Sequence, residues 1–211
     1  FKLMDFTFSA RGILKGKKVF EELKKIIGDV NIEDLRIPFS AVAVNLNNHK
    51  EVVFRSGNLL EAIRASSSIP SIVTPIKKEN QMLVDGGILN PLPLSIVEKK
   101  ENDLLVGIDL NAFEAKKEKP TPNYFIDYDK YIRAISQYLP LNLEEYTKPS
   151  SSNVGSYFDI TSRTFQIMQD KIIADSIDLN KPDLVIKIPR NSCSMFDFFK
   201  ASELIELGVE R

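Results

Sequence analysis

The sequence predicts an α/β domain with a mostly parallel central sheet, and two observations carry that prediction. Helical and strand periodicities alternate along the chain, and "DLLVGIDL", Asp103 to Leu110, is apolar on both of its faces. A strand of that kind needs cover above and below, which helices flanking a parallel sheet supply. With 211 residues, 43% of them hydrophobic, the chain has enough apolar material for one packed domain.

The elements follow in order. The stretch "DFTFSARGILKGKK" offers no convincing opening element. From Lys17 to Ile27, the residues Val19, Phe20, Leu23, Ile26 and Ile27 share one helical face, and Gly28 stands where a C-terminal cap belongs. "IPFSAVAVNL", Ile37 to Leu46, reads as a strand, "NNHK" as a turn, and "EVVFRSG" as the returning hairpin partner. A helix is expected from Leu59 to Ser67, with Leu60, Ile63 and Arg64 on its core side and Pro70 ending it. "QMLVD" is a short strand ending at Asp85, and "LSIVEKK" a short helix.

Residues 111–150 are different in kind. "NAFEAKKEKPTPN" is charged and broken by prolines, so it reads as a loop, and an aromatic-rich segment follows from Tyr124 to Leu143. That segment reads as an amphipathic helix packed through Tyr128, Tyr131, Ile132, Ile135 and Leu139; the alternative is a lid or interfacial surface that takes up acyl chains. Beyond it the pattern predicts a long helix over 153–177, a buried strand "DLVIKIP", and a last helix from Phe198 to Leu207 closed by Gly208.

Composition excludes several classes of function. The 28 basic and 29 acidic residues give a net charge of −1, which supplies no pull toward nucleic acid. Lysine runs such as Lys15-Gly16-Lys17-Lys18 and Lys116-Lys117 read as solvated surface. The lone Cys193 rules out an internal disulfide and a cysteine-rich zinc site, and a free thiol fits a reducing compartment. No apolar run approaches the roughly 18 residues of a membrane span, and no signal-peptide pattern opens the chain. A cytoplasmic location is the resulting expectation. The chain starts at Phe1 rather than at a methionine, so it reads as a piece of something longer or as a processed product.

The chemistry concentrates in "LVDGGILNPLPLS", where Asp85 ends an apolar strand and Gly86 and Gly87 follow. Ligands of α/β sheets gather at the carboxyl ends of strands. Two glycines there allow unusual backbone angles or the close approach of a substrate or another backbone. The structural alternative is a turn aspartate that bonds its own backbone. The only histidine, His49, lies in the polar "NNHK" turn, a poor place to hold an imidazole rigidly against a nucleophile and an acid. A serine hydrolase built on this chain therefore needs the carboxylate itself as base. No G-x-S-x-G elbow is present, since "RSGN" and "ASSSIP" lack the glycine two residues before the serine. Ser66, Ser67 and Ser68 are expected to end a helix, with Ser66 as a weaker candidate nucleophile. Phosphate-cradling loops and metal-ligand clusters are absent from the sequence.

Three stretches, "RGILKGKKVFEELKKIIGD", "IPFSAVAVNLNNHKEVVFRSGNLLEAIRASSSIPSIVTPI" and "QMLVDGGILNPLPLSIVEKKENDLLVGIDL", strongly resemble the bacterial patatin-like phospholipases. The resemblance runs almost continuously from Arg11 to Leu110 and returns more weakly in "NKPDLVIKIP" and "SMFDFFKASELIELG". It implies an incomplete three-layer α/β/α fold, with residues 1–211 forming the C-terminal part of a single domain. It implies a lipid acyl hydrolase with a Ser-Asp dyad, in which Asp85 accepts the proton of a G-x-S-x-G serine and Gly86 and Gly87 support the motif. Phospholipid or another acyl ester is the implied substrate, with no metal or organic cofactor and with room for peripheral membrane contact. In family order the oxyanion loop and the nucleophile precede "RGILKGKK", so the chain as it stands is expected to be inactive. Uncovered apolar surface, self-association or contact with the missing segment are the structural corollaries. The alternative is a non-catalytic interaction domain that keeps the fold.

Overall fold

The computed structural model describes residues 5–9, 12–113, 157–190, 192–193 and 200–210. The chain divides into two compact units, residues 1–98 and 99–211. The expected aromatic segment from Tyr124 to Leu143 lies outside the described residues, as do positions 153–156 and 198–199 at the starts of two expected helices.

The first unit opens with a small antiparallel pair, β1 (Phe6–Ser9) and β2 (Gly12–Leu14), in a region where the sequence offered no readable element. Long-range bonds hold β2 in place: Leu14 donates to the Ile72 carbonyl at 2.8 Å and accepts from the Thr74 N–H at 2.9 Å. Helix α1 (Lys17–Ile27) has the predicted bounds, and Gly28 adopts φ 79° to return its N–H to the Lys24 carbonyl. Its apolar stripe is only partly covered; Ile26 is 81% exposed. The Asp5 carboxylate takes the N–H groups at the helix start, from Gly16 at 2.6 Å and from Lys18 at 3.2 Å.

A four-stranded sheet forms the centre of this unit, in the order β4-β3-β6-β5. Its strands are β3 (Ala41–Asn45), β4 (Lys50–Phe54), β5 (Ile76–Lys78) and β6 (Gln81–Asp85). All three pairings are antiparallel, which corrects the expectation of a mostly parallel sheet while leaving the α/β class intact. The reason is local. β3 and β4 are joined by a four-residue turn and β5 and β6 by a two-residue one, and connections that short permit only antiparallel neighbours. β3 is shorter than the ten residues expected, because Pro38 cannot donate to a ladder and the chain pairs only from Ala41. All five of its residues are buried.

Helix α2 (Leu59–Ser66) packs on β3 and β6. Its Asn58 cap accepts the Glu61 N–H at 3.1 Å while donating to Asp29 Oδ1 at 2.6 Å. The inward face is Leu59, Ala62 and Ala65, not the expected Leu60, Ile63 and Arg64, which are only half-buried. Two alanines let the helix come close to the sheet, and Ala65 joins Ala43 and Leu83 in one core cluster. The stretch expected as a helix at "LSIVEKK" is a single 3-10 turn, Leu94–Ile96, after which Val97 is extended. The adjacent β-branched Ile96 and Val97 give little reason to propagate a helix beyond that turn.

The second unit holds the parallel pair, β7 (Val106–Ala112) and β8 (Leu184–Pro189), in register from Val106 opposite Leu184. Helix α3 (Tyr157–Asn180) precedes β8 and helix α4 (Ala201–Glu210) follows it. α4 runs through Gly208 instead of stopping there, and α3 continues to Asn180, three residues past its expected end. Arg190 ties the unit together. Its guanidinium reaches the Asn111 carbonyl at 2.9 Å, Gln166 Oε1 at 3.0 Å and the Asp170 carboxylate. Asp183 accepts from Lys99 and from the Leu105 N–H, both at 2.7 Å, and these bonds hold its carboxyl below the usual range. β7 buries Leu105, Gly107 and Asp109, while Leu104, Val106, Ile108 and Leu110 form an exposed apolar row on its other face.

Leu83 is 1% exposed at the centre of the first unit's core, so Leu83→Ala is expected to lower unfolding stability by about 2–5 kcal/mol, read from urea denaturation. A loss below about 1 kcal/mol would mean that α2 collapses into the gap and that the core is looser than its burial implies.

Candidate active site

Asp85 ends β6 opposite Ala43, in the interior of the sheet rather than at its edge. Two neighbours fix its backbone. Its N–H donates to the Ser68 carbonyl at 3.0 Å, and the next residue, Gly86, lies against β3. A Cβ on Gly86 would stand 2.3 Å from the Val42 carbonyl oxygen, well inside any tolerable contact. Gly86 and Gly87 both have ordinary negative φ, so unusual backbone angles are not why glycine stands there. At Gly86 the reason is close approach of another backbone.

The Asp85 side chain is half-buried, and its Oδ1 accepts the Gly87 N–H at 2.7 Å at the start of a 3-10 turn, Gly86–Ile88. The turn bond considered as a structural alternative is therefore present. Burial pushes the carboxyl above the ordinary value of 3.8, and the Gly87 bond only partly opposes that. Among the described residues nothing hydrogen-bonds Oδ2. The result is a carboxylate held by one oxygen, with the other available and with raised basicity.

The other sequence candidates lie elsewhere or do structural work. His49 occupies the β3–β4 turn with φ 57° and donates its N–H to the Asn45 carbonyl, at the end of β3 away from the one β6 runs toward. Ser66 is the last residue of α2. Ser67 Oγ donates to the Ile63 carbonyl at 2.7 Å, and Ser68 Oγ to the Arg64 carbonyl at 2.8 Å. Ser68 is completely buried, and its carbonyl receives Asp85, a role that sequence reasoning missed. The only available signal was the proximity of "ASSSIP" to the D-G-G stretch. Cys193 is a free, half-buried thiol.

A cleft of about 680 Å³ lies between α1 and α2, lined by Lys15, Phe20, Lys24, Asn58 and Arg64 among others, but Asp85 is not on its wall. Its charges are largely matched within it, as in the Lys24–Asp29 pair at 2.6 Å. Asp85 is thus the better-supported centre on chemical grounds. No helix of the described residues is long and apolar enough to cross a membrane.

In comparison with known proteins, the pattern of the family described as patatin-like phospholipase matches residues 1–98. Over those 98 of its 211 residues the chain is similar to the patatin-like phospholipases. An uncharacterised NTE family protein of Mycobacterium bovis is 29% identical over 98% of this chain and 70% of its own length. A second NTE family protein of that organism is 31% identical over 51% of the chain, though only 18% of the relative is covered. The lysophospholipase NTE1 of Scheffersomyces stipitis is 23% identical over 98% of the chain, which spans 13% of that much longer protein. The matched residues 1–98 coincide with the first compact unit, which contains Asp85.

Two predictions follow from the contacts of this turn. Gly86→Ala forces a methyl against the Val42 carbonyl, and we expect a stability loss of about 1–3 kcal/mol or more in thermal or urea unfolding. A neutral result would show that β3 and β6 can separate cheaply. Asp85→Asn removes the buried charge, and its effect depends on pH. Between the ordinary value of 3.8 and the raised native value, the native state binds more protons than the unfolded chain, so stability falls as pH rises. Asp85→Asn should therefore melt at or above the wild-type temperature at neutral pH, with the gap closing in acid below that window. A wild type more stable than the variant at neutral pH would contradict the burial penalty.

Proposed function

We propose that the chain is the aspartate-bearing part of a lipid acyl hydrolase that works through a Ser-Asp dyad. Asp85 is the proton acceptor, and a G-x-S-x-G serine and its oxyanion loop lie on sequence upstream of these residues. The observation that carries the reading is the Asp85 carboxylate itself, raised in basicity by burial, fixed through Oδ1 and, among the described residues, without a hydrogen bond at Oδ2. The family match over residues 1–98 and the lysophospholipase name of the Scheffersomyces stipitis relative support an acyl ester of a phospholipid as substrate. The exposed apolar row of β7 supports an upstream segment as well, since such a row is cheap to leave only if something else covers it.

The chemistry follows the usual balance of acyl transfer. Serine Oγ attacks the ester carbonyl while its proton passes to Asp85 Oδ2, backbone amides of the oxyanion loop hold the charge on the carbonyl oxygen, and the alcohol leaves with that proton. Water then attacks the acyl-serine and gives a proton to Asp85; as the acyl–Oγ bond breaks, Asp85 returns that proton to the serine oxygen and the fatty acid is released. No metal enters either half. An ordinary aspartate, near pKa 3.9, is a weak base at neutral pH; one raised by burial is better matched to a serine hydroxyl.

The test uses a short-chain chromogenic ester and three samples: the 211-residue chain, an upstream-extended protein, and the extended protein with Asp85→Asn. Turnover is expected only from the extended protein, with the Asp85 change lowering kcat by at least about a hundredfold, the usual scale of a lost general base. Its kcat/KM should fall with decreasing pH through a limb above the range of ordinary carboxylates. Turnover by the short chain that survives Asp85→Asn would replace the dyad with another nucleophile. An inert extended protein would favour an interaction domain.

A further inference from the structure

The strand register places several loops at one end of the four-stranded sheet. β3 starts at Ala41 opposite Phe54, the last residue of β4, and Asp85 ends β6 opposite Ala43. Residues 36–40 therefore enter the sheet at the same end where Arg55 leaves it and where the turn after Asp85 emerges. Arg55 donates to the Ile96 carbonyl at 2.9 Å, which draws Val97 to this rim too. The apolar side chains here are uncovered: Ile37 is 79% exposed and Val97 54%, with Phe39 and Leu89 also open to solvent.

A single exposed apolar residue needs no explanation. Four around one end of a sheet, beside the candidate carboxylate and interspersed with two guanidinium groups, are a different matter. We propose that this rim is the surface on which the protein meets a phospholipid layer. Ile37 and Phe39 enter the boundary between headgroups and acyl chains, and Arg36 and Arg55 lie against the headgroup phosphates. The proposal rests on the lipid-ester reading above and names the surface through which that site reaches its substrate.

Three features favour a lipid layer over a second copy or a protein segment. The apolar residues form a discontinuous rim around charged ones, which suits an interface where side chains insert singly and arginines remain hydrated beside phosphate. Pro38 limits the freedom of the Ile37–Phe39 segment, so little order has to be lost on insertion. The charge at this rim is complementary to phosphate. Among the described residues Arg36 has no ion-pair partner, while Arg55 has only Glu98 at 3.6 Å, an exposed pair of little strength.

The experiment is co-sedimentation with vesicles of phosphatidylcholine and phosphatidylglycerol, using both the 211-residue chain and the upstream-extended protein. Both are expected to bind. Ile37→Ser with Phe39→Ser should reduce the vesicle partition at least about tenfold through lost apolar insertion. Arg36→Gln should reduce it about fivefold, from the usual worth of one arginine at a lipid surface. All three positions are exposed, so unfolding midpoints should be unchanged. Failure of the extended protein to bind vesicles would overturn the proposal. So would binding indifferent to these changes, or an Ile37/Phe39 variant that turns a dimer into a monomer without altering vesicle binding. Vesicle partition reads the rim alone and ester turnover by Asp85→Asn reads the dyad alone, so either idea can fall without the other.

Discussion

The contact on which the first unit's site depends is that between Gly86 and the Val42 carbonyl. β6 can run alongside β3 and then turn away only because no side chain intervenes at that point. The same turn closes with the Gly87 N–H on Asp85, and the strand entering it is held from the other side by the Ser68 carbonyl. Three backbone contacts thus determine where one carboxylate sits. None of them uses a side chain other than that of Asp85 itself, which makes the geometry insensitive to most surrounding substitutions but intolerant of any Cβ at position 86.

This arrangement explains why α2 ends as it does. Ser67 and Ser68 return their hydroxyls to the carbonyls of Ile63, which also accepts the Ser67 N–H, and of Arg64, a group that the helix terminus leaves open. That frees the Ser68 carbonyl to face β6 instead of continuing the helix. Ala62 and Ala65 bring the helix close enough for the contact to form, and they leave Leu83 to fill the space between helix and sheet. The polar run "SSS" and the small residues before it are one device: a helix stopped at close range, with a backbone acceptor presented to a strand end.

Much of this was legible in the sequence, and the failures have physical causes. Helix α1, the β3–β4 hairpin and strand β6 carry their own punctuation in Gly28, "NNHK" and the D-G-G turn, so their existence and order could be read locally, although β3 begins only at Ala41. β1 and β2 could not, because their stability comes from bonds to Ile72 and Thr74, far along the chain. The inward face of α2 was misread because large residues were assumed to point inward, whereas close packing selected alanines. A mostly parallel sheet was expected from "DLLVGIDL", yet that strand pairs in parallel only with β8, and the short connections of the first unit dictate antiparallel neighbours. At the site, the sequence singled out Asp85 and its glycines but not Ser68 or Val42, which act through carbonyls that every residue type shares.

The degree of burial at Asp85 follows from two opposing demands of the proposed dyad. A fully exposed aspartate keeps an ordinary pKa and is a feeble base toward a serine hydroxyl. A fully buried one without a counter-charge becomes neutral and accepts nothing. Half-burial with a single amide donor lies between these limits: desolvation raises basicity, and the Gly87 bond stabilises the charged form enough to keep it available. A histidine is the usual base toward a serine hydroxyl, and here His49 is committed to a turn at the far end of β3. In the proposed dyad the D-G-G turn sets the carboxylate's basicity with burial on one side and one backbone N–H on the other. Its cost is a charge held partly out of water, which ties the function of the site directly to the stability of the sheet that carries it.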